Sequence, residues 1–222
     1  DAVILAAGSE VPRDLPIPGR ELKGIYAALE FLIPQNKEVR GGPANPLNAE
    51  GKHVVVIGGG VIGSSVAYHL ALMGCTDVVL LERDRITSGT TWHAAGLMVT
   101  FGSTSETSTE MRKYTRDLYS RLEAETGQAT GFRPVGFIEL AKDSDRLEEY
   151  RRVSAFNRHC GVNVHEISAK EVKELFPLAH VDDILAGFYV KEDGRADPVD
   201  VTMALAKGAK LRGAKVIEEV SV

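Results

Sequence analysis

Two short apolar runs, Val54-Val55-Val56-Ile57 and Val78-Val79-Leu80-Leu81, bracket a stretch whose apolar residues recur every three or four positions. Continuous β-branched runs suit parallel strands covered on both faces. Between them Ser64 to Met73 reads as a helix, with Val66, Ala67, Leu70 and Ala71 on one face. Gly74 stands just past its end, where a left-handed backbone is favoured. Strand, glycine turn, helix and strand make a βαβ unit. Upstream, the apolar run of residues 2–7, closed by Gly8, predicts a buried strand. Residues 9–20 hold Pro12, Pro16, Pro18 and Gly19 and predict an irregular loop. Ile25 to Ile33 has helical spacing with Pro34 as its stop, and residues 34–52, rich in Pro, Gly and Asn, predict a linker.

Downstream the pattern predicts a polar, glycine-containing loop over 84–103. A helix follows over Thr107–Thr126, then a strand over 132–141 and a helix over Asp143–Cys160. Ser168-x-x-Glu171 matches a capping box for a short helix ended by Pro177. Residues 185–191 predict a strand, Asp197-Pro198 opens a helix running to Gly213, and Ala214–Val222 predicts a last strand. The fold class is α/β: a Rossmann-like domain, with a parallel sheet and helices on both faces, carrying additional α+β segments.

Composition narrows the function classes. The chain has 222 residues, 44% hydrophobic and 26% charged, enough to bury a core without disulfides or metals. A net charge of −5 argues against a nucleic-acid surface or an anionic membrane partner. No run of about 18 apolar residues exists, so no membrane span is expected. The start, Asp1-Ala2-Val3-Ile4-Leu5, lacks a Met and a basic segment and predicts no targeting peptide. It reads as the middle of something, a fragment or a processed form. Cys75 and Cys160 stand alone, which suggests a reducing compartment and packing roles. His53, His69, His159, His165 and His180 show no metal-ligand spacing, and no Ser-His-Asp arrangement can be argued. No metal-binding or catalytic residue is assigned. Arg112, Lys113, Arg116, Arg121 and Arg151-Arg152 alternate with acids and predict solvated helix faces, while Met73, Met98, Met111 and Met203 read as packing residues.

The chemistry-bearing motif is Gly58-Gly59-Gly60-Val61-Ile62-Gly63. Gly58 allows the tight turn out of the strand, Gly60 lets backbone approach a pyrophosphate, and Gly63 allows close helix–strand packing. The helix N-terminus adds free N–H groups and partial positive charge. A lone GxGxxG is weak evidence, but this one lies between a strand and a helix, and Glu82 closes the next strand 19 residues after Gly63. A carboxylate there accepts from ribose hydroxyls and repels a 2′-phosphate, which disfavours NADP. After it come Arg83 and then Ser88-Gly89-Thr90-Thr91-Trp92-His93-Ala94-Ala95-Gly96-Leu97. Their hydroxyls suit phosphates or a ribityl chain, and their small residues let backbone lie against a flat ring. Composition does not choose between flavin and nicotinamide, and a plain surface loop is the competing reading.

From about His53 onward the chain resembles the N-terminal part of the dimethylglycine and sarcosine dehydrogenases, FAD-dependent amine oxidoreductases. The resemblance rests on Val-Ile-Gly-Gly-Gly-Val-Ile-Gly-Ser-Ser-Val-Ala-Tyr-His-Leu, Leu-Leu-Glu-Arg-Asp-Arg, Ser-Gly-Thr-Thr-Trp-His-Ala-Ala-Gly-Leu and Gly-Arg-Ala-Asp-Pro. It implies FAD held by Gly58, Gly60, Val61, Ile62, Gly63, Glu82, Arg83 and Ser88 to Leu97, with a backbone contact to adenine at Val222. It also implies a covalent bond from His93 to the flavin's 8α carbon. The implied reaction oxidises an N-methyl amine to an iminium that hydrolyses or passes its carbon to tetrahydrofolate, the folate site lying in a domain beyond these residues. An electron-acceptor protein is an expected partner. The expected compartment is the bacterial cytoplasm or the mitochondrial matrix.

Residues 1 to about 52 resemble instead the small subunit of glutamate synthase, through Asp-Ala-Val-Ile-Leu-Ala-Ala-Gly and Val-Pro-Arg-Asp-Leu-Pro-Ile-Pro-Gly-Arg-Glu-Leu-Lys-Gly-Ile-Tyr. That pattern has Asp-Thr-Gly where this chain has Val61-Ile62-Gly63. The expected organisation is therefore a glutamate-synthase-like segment over 1–50 and an FAD domain over 51–222, incomplete at its C-terminus. Two rival readings follow: a pyridine-nucleotide electron-transfer subunit, and a nucleotide-binding fragment without catalysis. The amine dehydrogenases close their FAD sheet with a late strand ending in Ala-Gly. The strand from Val3 to Gly8 has similar character and would fill that place, as in a circular permutation.

Overall fold

The computed structural model describes residues 2–5, 18–39, 42–47, 49 and 51–221. In chain order the elements are β1 (Ala2–Leu5), β2 (Ile25–Ala27), α1 (Ala28–Val39), β3 (Val54–Ile57), α2 (Val61–Leu72), β4 (Val78–Leu81), a 3-10 turn (Thr91–His93) and β5 (Leu97–Met98). They continue with α3 (Glu106–Thr126), β6 (Phe137–Ala141), α4 (Ser144–His159), β7 (His165–Ile167), α5 (Ala169–Leu175), β8 (Ala186–Val190), β9 (Gly194–Arg195), α6 (Pro198–Leu211) and β10 (Lys215–Ile217). They form two compact units. The first comprises Asp1–Ala95, Arg121–Thr130 and Asp197–Val222; the second comprises Gly96–Ser120 and Gly131–Ala196.

The first unit is built on a parallel sheet ordered β10-β4-β3-β1-β2. Its two central apolar runs are β3 and β4, as the β-branched pattern requires. Beside β3 stands β1, in the register Ala2↔Val54 to Leu5↔Ile57. Of the helices expected on both faces, α2 packs against α1 and α6, which sets these three side by side on one face. Burial follows: Val54, Val56, Val78 and Leu80 are closed off, while their alternates Val55, Ile57, Val79 and Leu81 are only half-buried. Strand side chains alternate between faces, so the face that carries Val54, Val56, Val78 and Leu80 is the more deeply covered.

The α2–α6 seam is close because Gly208 has no side chain. A Cβ there would stand 2.7 Å from the Tyr68 ring and 3.1 Å from Thr126 Cγ2. Tyr68 is fully buried, and its hydroxyl donates to Glu125 Oε2 at 2.7 Å. That bond is the main cause holding the Glu125 carboxyl below its ordinary value.

In the second unit an antiparallel sheet, β6-β8-β7, packs Phe188 with Phe101 and Tyr150 of the surrounding segments. A separate two-stranded ladder joins β5 to β9, with Leu97 opposite Arg195 and Met98 opposite Gly194. Asp193 precedes that ladder and is fully buried. It accepts from Thr100 N at 2.7 Å and Thr100 Oγ1 at 2.8 Å, with Arg116 at 3.9 Å.

Several expectations change. The segment 25–33 opens as β2, and α1 continues through Pro34 to Val39, so the linker is partly helical. Within the loop expected over 84–103 lie the 3-10 turn and β5, and β7 and β9 are short strands that no apolar run announced. The faces of α3 are not wholly solvated: Arg112 donates to Phe101 O at 2.7 Å and Lys113 to Cys160 O at 2.7 Å. Met98 is buried, but Met73, Met111 and Met203 are exposed, and both cysteines are only half-buried. The caps stand as read. Ser168 and Glu171 close a reciprocal box, and Asp197 accepts from Val199 N and Asp200 N ahead of Pro198. Gly8, the loop of residues 9–17 and Val222 lie outside the described residues.

Candidate functional site

The site begins where β3 ends. Gly58 has φ +110°, a backbone that L side chains rarely adopt, and its N–H donates to Leu81 O at 2.9 Å. The tight turn thus ties the loop to β4. Gly59 is buried, and its N–H donates to Glu82 Oε2 at 2.6 Å. A Cβ on Gly59 would lie 2.8 Å from Glu82 Cβ. Gly60 is the N-cap of α2 in extended conformation and, lacking a side chain, makes no cap hydrogen bond of its own.

Thr91 completes the loop. Its buried Oγ1 accepts from Val61 N at 3.1 Å and stands 3.1 Å from where a Gly60 Cβ would be. The next two amides, of Ile62 and Gly63, have no protein acceptor among the described residues. Unpaired N–H groups at the positive end of a helix favour an anion such as a pyrophosphate. The glycine cradle and the two unpaired amides both fit a dinucleotide.

Glu82 sits at the end of β4, half-buried. Its other oxygen, Oε1, accepts from Asp84 N at 3.0 Å, so the carboxylate is held by two backbone donors. Ionised oxygens have lone pairs to spare, which leaves capacity for ribose hydroxyls. The segment after β10 runs beside it: Glu219 N donates to Asp84 O, Val220 N to Glu82 O, and Ile86 N to Glu218 Oε1. The approach of residues 218–220 to Glu82 follows from the sheet order and carried no sequence signal of its own.

Arg83, Ser88, Gly89 and Thr90 are exposed on the following loop, pinned to the cradle where Thr87 N donates to Gly59 O at 3.2 Å. Trp92 and His93 are exposed, their ring centroids 3.7 Å apart and the planes tilted by 33°. His93 N donates to Thr90 O, which fixes the 3-10 turn that presents it. Ala94 and Ala95 are also exposed. Gly96, at φ +71°, and Leu97 belong to the second unit, where Gly96 O accepts from Ala196 N at 2.8 Å. Hydrogen bonds therefore unite Gly58–Gly63, Glu82 and Thr91, while the rest of the segment is joined to them through the chain. Among the described residues no group of three His, Cys, Asp or Glu suits a metal, and no helix is long and apolar enough to cross a membrane.

Comparison with known proteins gives the family. Residues 53–222 match the family described as FAD dependent oxidoreductase. The chain belongs to that family. Residues 1–101 also match the family described as pyridine nucleotide-disulphide oxidoreductase. Human mitochondrial sarcosine dehydrogenase is 44% identical over 182 residues, covering 82% of this chain and 20% of that protein. Dimethylglycine dehydrogenase of Rattus norvegicus is 43% identical over 175 residues, covering 77% and 20%. L-proline dehydrogenase from P. horikoshii superposes with a TM-score of 0.70 at 30% identity, over 76% of this chain and 44% of that one. This FAD-dependent oxidoreductase chain thus spans about a fifth of the length of the curated relatives it matches. Membership implies FAD as the cofactor, and the Rossmann-type fold is confirmed. The glutamate synthase resemblance of the opening residues is not shown.

Proposed function

We propose that the chain is the cofactor-binding part of an enzyme that oxidises an N-methyl amine such as sarcosine or dimethylglycine. The observation that carries this is the loop Gly58–Gly63 latched to Glu82, in a chain over 40% identical to dehydrogenases named for those amines. The backbone of Gly58, Gly60, Val61, Ile62 and Gly63 holds the pyrophosphate. Glu82 accepts from the adenosine ribose, with Arg83 beside it. The residues Ser88 to Leu97 surround the remainder. FAD, when bound, supplies a two-electron acceptor for the carbon being oxidised. His93, exposed and held by its backbone bond to Thr90, offers an imidazole nitrogen as the nucleophile for a covalent tether. A protein electron acceptor and a folate-binding domain belong to the whole enzyme, and its relatives named as mitochondrial favour the matrix for a eukaryotic source.

The test is a mass and visible spectrum of the flavin-loaded protein. A band near about 450 nm is the flavin signature. We expect flavin to stay with the denatured chain, and His93→Ala to release it on denaturation while still binding it natively. Flavin released equally from both would remove the tether; absence of any flavin would remove the function. The match of residues 1–101 to a pyridine-nucleotide family favours the second reading, an electron-transfer subunit. It requires NADPH binding, which the Glu82 carboxylate opposes, and a nucleotide titration separates the two. Dye-coupled turnover of sarcosine decides against the reading of a fragment without catalysis.

A further inference from the structure

Trp92 is the chain's single tryptophan, and 59% of it lies open to solvent. Among the described residues its ring contact is with its own neighbour: the indole and the His93 imidazole lie 3.7 Å apart between centroids, tilted by 33°. Extended backbone sends adjacent side chains to opposite faces. The tight turn of Thr91–His93 lets these two rings meet.

That turn is fixed around the pair. Thr91 Oγ1 accepts from Val61 N at 3.1 Å, His93 N donates to Thr90 O at 3.1 Å, and Ala94 N donates to Thr91 O at 3.2 Å. The backbone under His93 is therefore set. What stays loose in an exposed histidine is the rotation of its ring, a broad two-fold torsion, and the indole restricts it.

Other histidines are held at their nitrogens. His53 Nδ1 pairs with Asp77, His69 Nδ1 donates to Ser65 O at 2.7 Å, and His180 has Asp182 at 3.4 Å and Asp183 at 3.7 Å. His93 is held on its face instead, and neither of its nitrogens has a hydrogen bond or ion pair among the described residues. The lone pair of a neutral imidazole lies in the ring plane. A partner on the face leaves it uncovered, whereas a hydrogen bond or ion pair occupies it.

We propose that Trp92 is a positioning residue, whose indole holds the His93 imidazole with a ring nitrogen open as the nucleophile of the flavin tether. This rests on the tether reading of His93. In that step an imidazole nitrogen bonds to the 8α carbon. One methyl hydrogen and the imidazole N–H hydrogen leave as protons, and the two electrons reduce the flavin. Dioxygen then takes the electrons and two protons to give hydrogen peroxide.

The test follows covalent attachment by the mass of the denatured full chain, after flavin-free protein is given FAD. Saturating FAD is used, so that a change in affinity drops out. An aromatic pair biases ring rotation about two- to tenfold, and Trp92→Ala should slow attachment by that factor. Trp92→Phe keeps an aromatic face and should recover most of the rate. The stack is read separately in the flavin-free protein: the His93 ring protons should be displaced by the indole ring current and return to ordinary positions in Trp92→Ala. Because Trp92 is exposed, the thermal midpoint should not move. Equal attachment rates in wild type and Trp92→Ala overturn the inference and leave the tether standing. So does a His93 resonance that Trp92→Ala leaves in place, or a Trp92→Phe variant as slow as Trp92→Ala. A wild type that attaches no FAD removes the tether reading and this inference together.

Discussion

At Gly59 a single hydrogen atom in place of a side chain decides whether the loop and the Glu82 carboxylate can coexist. Its amide donates to Glu82 Oε2 at 2.6 Å, and a Cβ would fall within 3.0 Å of three Glu82 side-chain atoms. Gly59→Ala should push Glu82 off its seat, cost about 1–3 kcal/mol of stability by overpacking, and lower flavin retention; urea unfolding and flavin content report the two. Asp193 sets a second residue-scale expectation. Burial is the main cause pushing its carboxyl above the ordinary value, against the bonds from Thr100. The folded state therefore takes up this proton before the unfolded chain does, and the charge costs stability as pH rises from the ordinary aspartate range, near about 4, through the raised native value. Asp193→Asn removes that titration, so its stability relative to wild type should improve across the same interval. A flat difference between the two proteins would show that Asp193 does not titrate there. The turn at Gly58–Gly60 between β3 and α2 was legible because a tight strand-to-helix turn demands glycine at fixed spacing. Thr91 was legible only as part of a resembling segment, and Asp193 not at all, since their partners Val61 and Thr100 are 30 and 93 residues away.

Elements were legible where burial follows a period, and misread where a rule of thumb met tertiary structure. Helix α1 passes through Pro34, although that residue cannot donate to the carbonyl of Glu30, so the proline is not the stop its chemistry predicts. The short strands β5, β7 and β9 span two or three residues each, too few to show alternation. Arginines on α3 alternate with acids, as a solvated face would, yet Arg112 and Arg116 are spent on Phe101 O and toward Asp193. The seam between α2 and α6 belongs to this scale as well. Gly208 sits within an otherwise alanine-rich face, and only the structure shows Tyr68 lying over it. Gly208→Ala should raise helix propensity by about 1 kcal/mol, yet force the Tyr68 ring aside at a cost of about 1–3 kcal/mol. Net destabilisation is expected. With Tyr68 also cut back, in Tyr68→Leu, the same substitution should turn neutral or favourable, and a double-mutant cycle by urea unfolding measures that coupling.

Over the whole molecule the unexpected partnership is that of the first strand with the cofactor strand. The family described as FAD dependent oxidoreductase matches only from residue 53, which would suit opening residues that form an appendage behind a linker. The sheet order argues otherwise: β1 lies inside the sheet, bonded to β2 on one side and β3 on the other, and Ile4 is buried. We propose that β1 serves as the interior strand that the FAD sheet needs beside β3, whatever the origin of residues 1–50. An aspartate at an interior strand position strands a charge that has no partner. Ile4→Asp should then lower the thermal midpoint of the first unit and reduce flavin loading in the same proportion, because the Gly58 turn grows directly from β3. Removing residues 1–50 should go further, baring the hydrogen-bonding edge of Val54–Ile57 and driving association between chains. Were the segment only an appendage, the shortened chain would stay monomeric by sedimentation and load flavin as well as the full one.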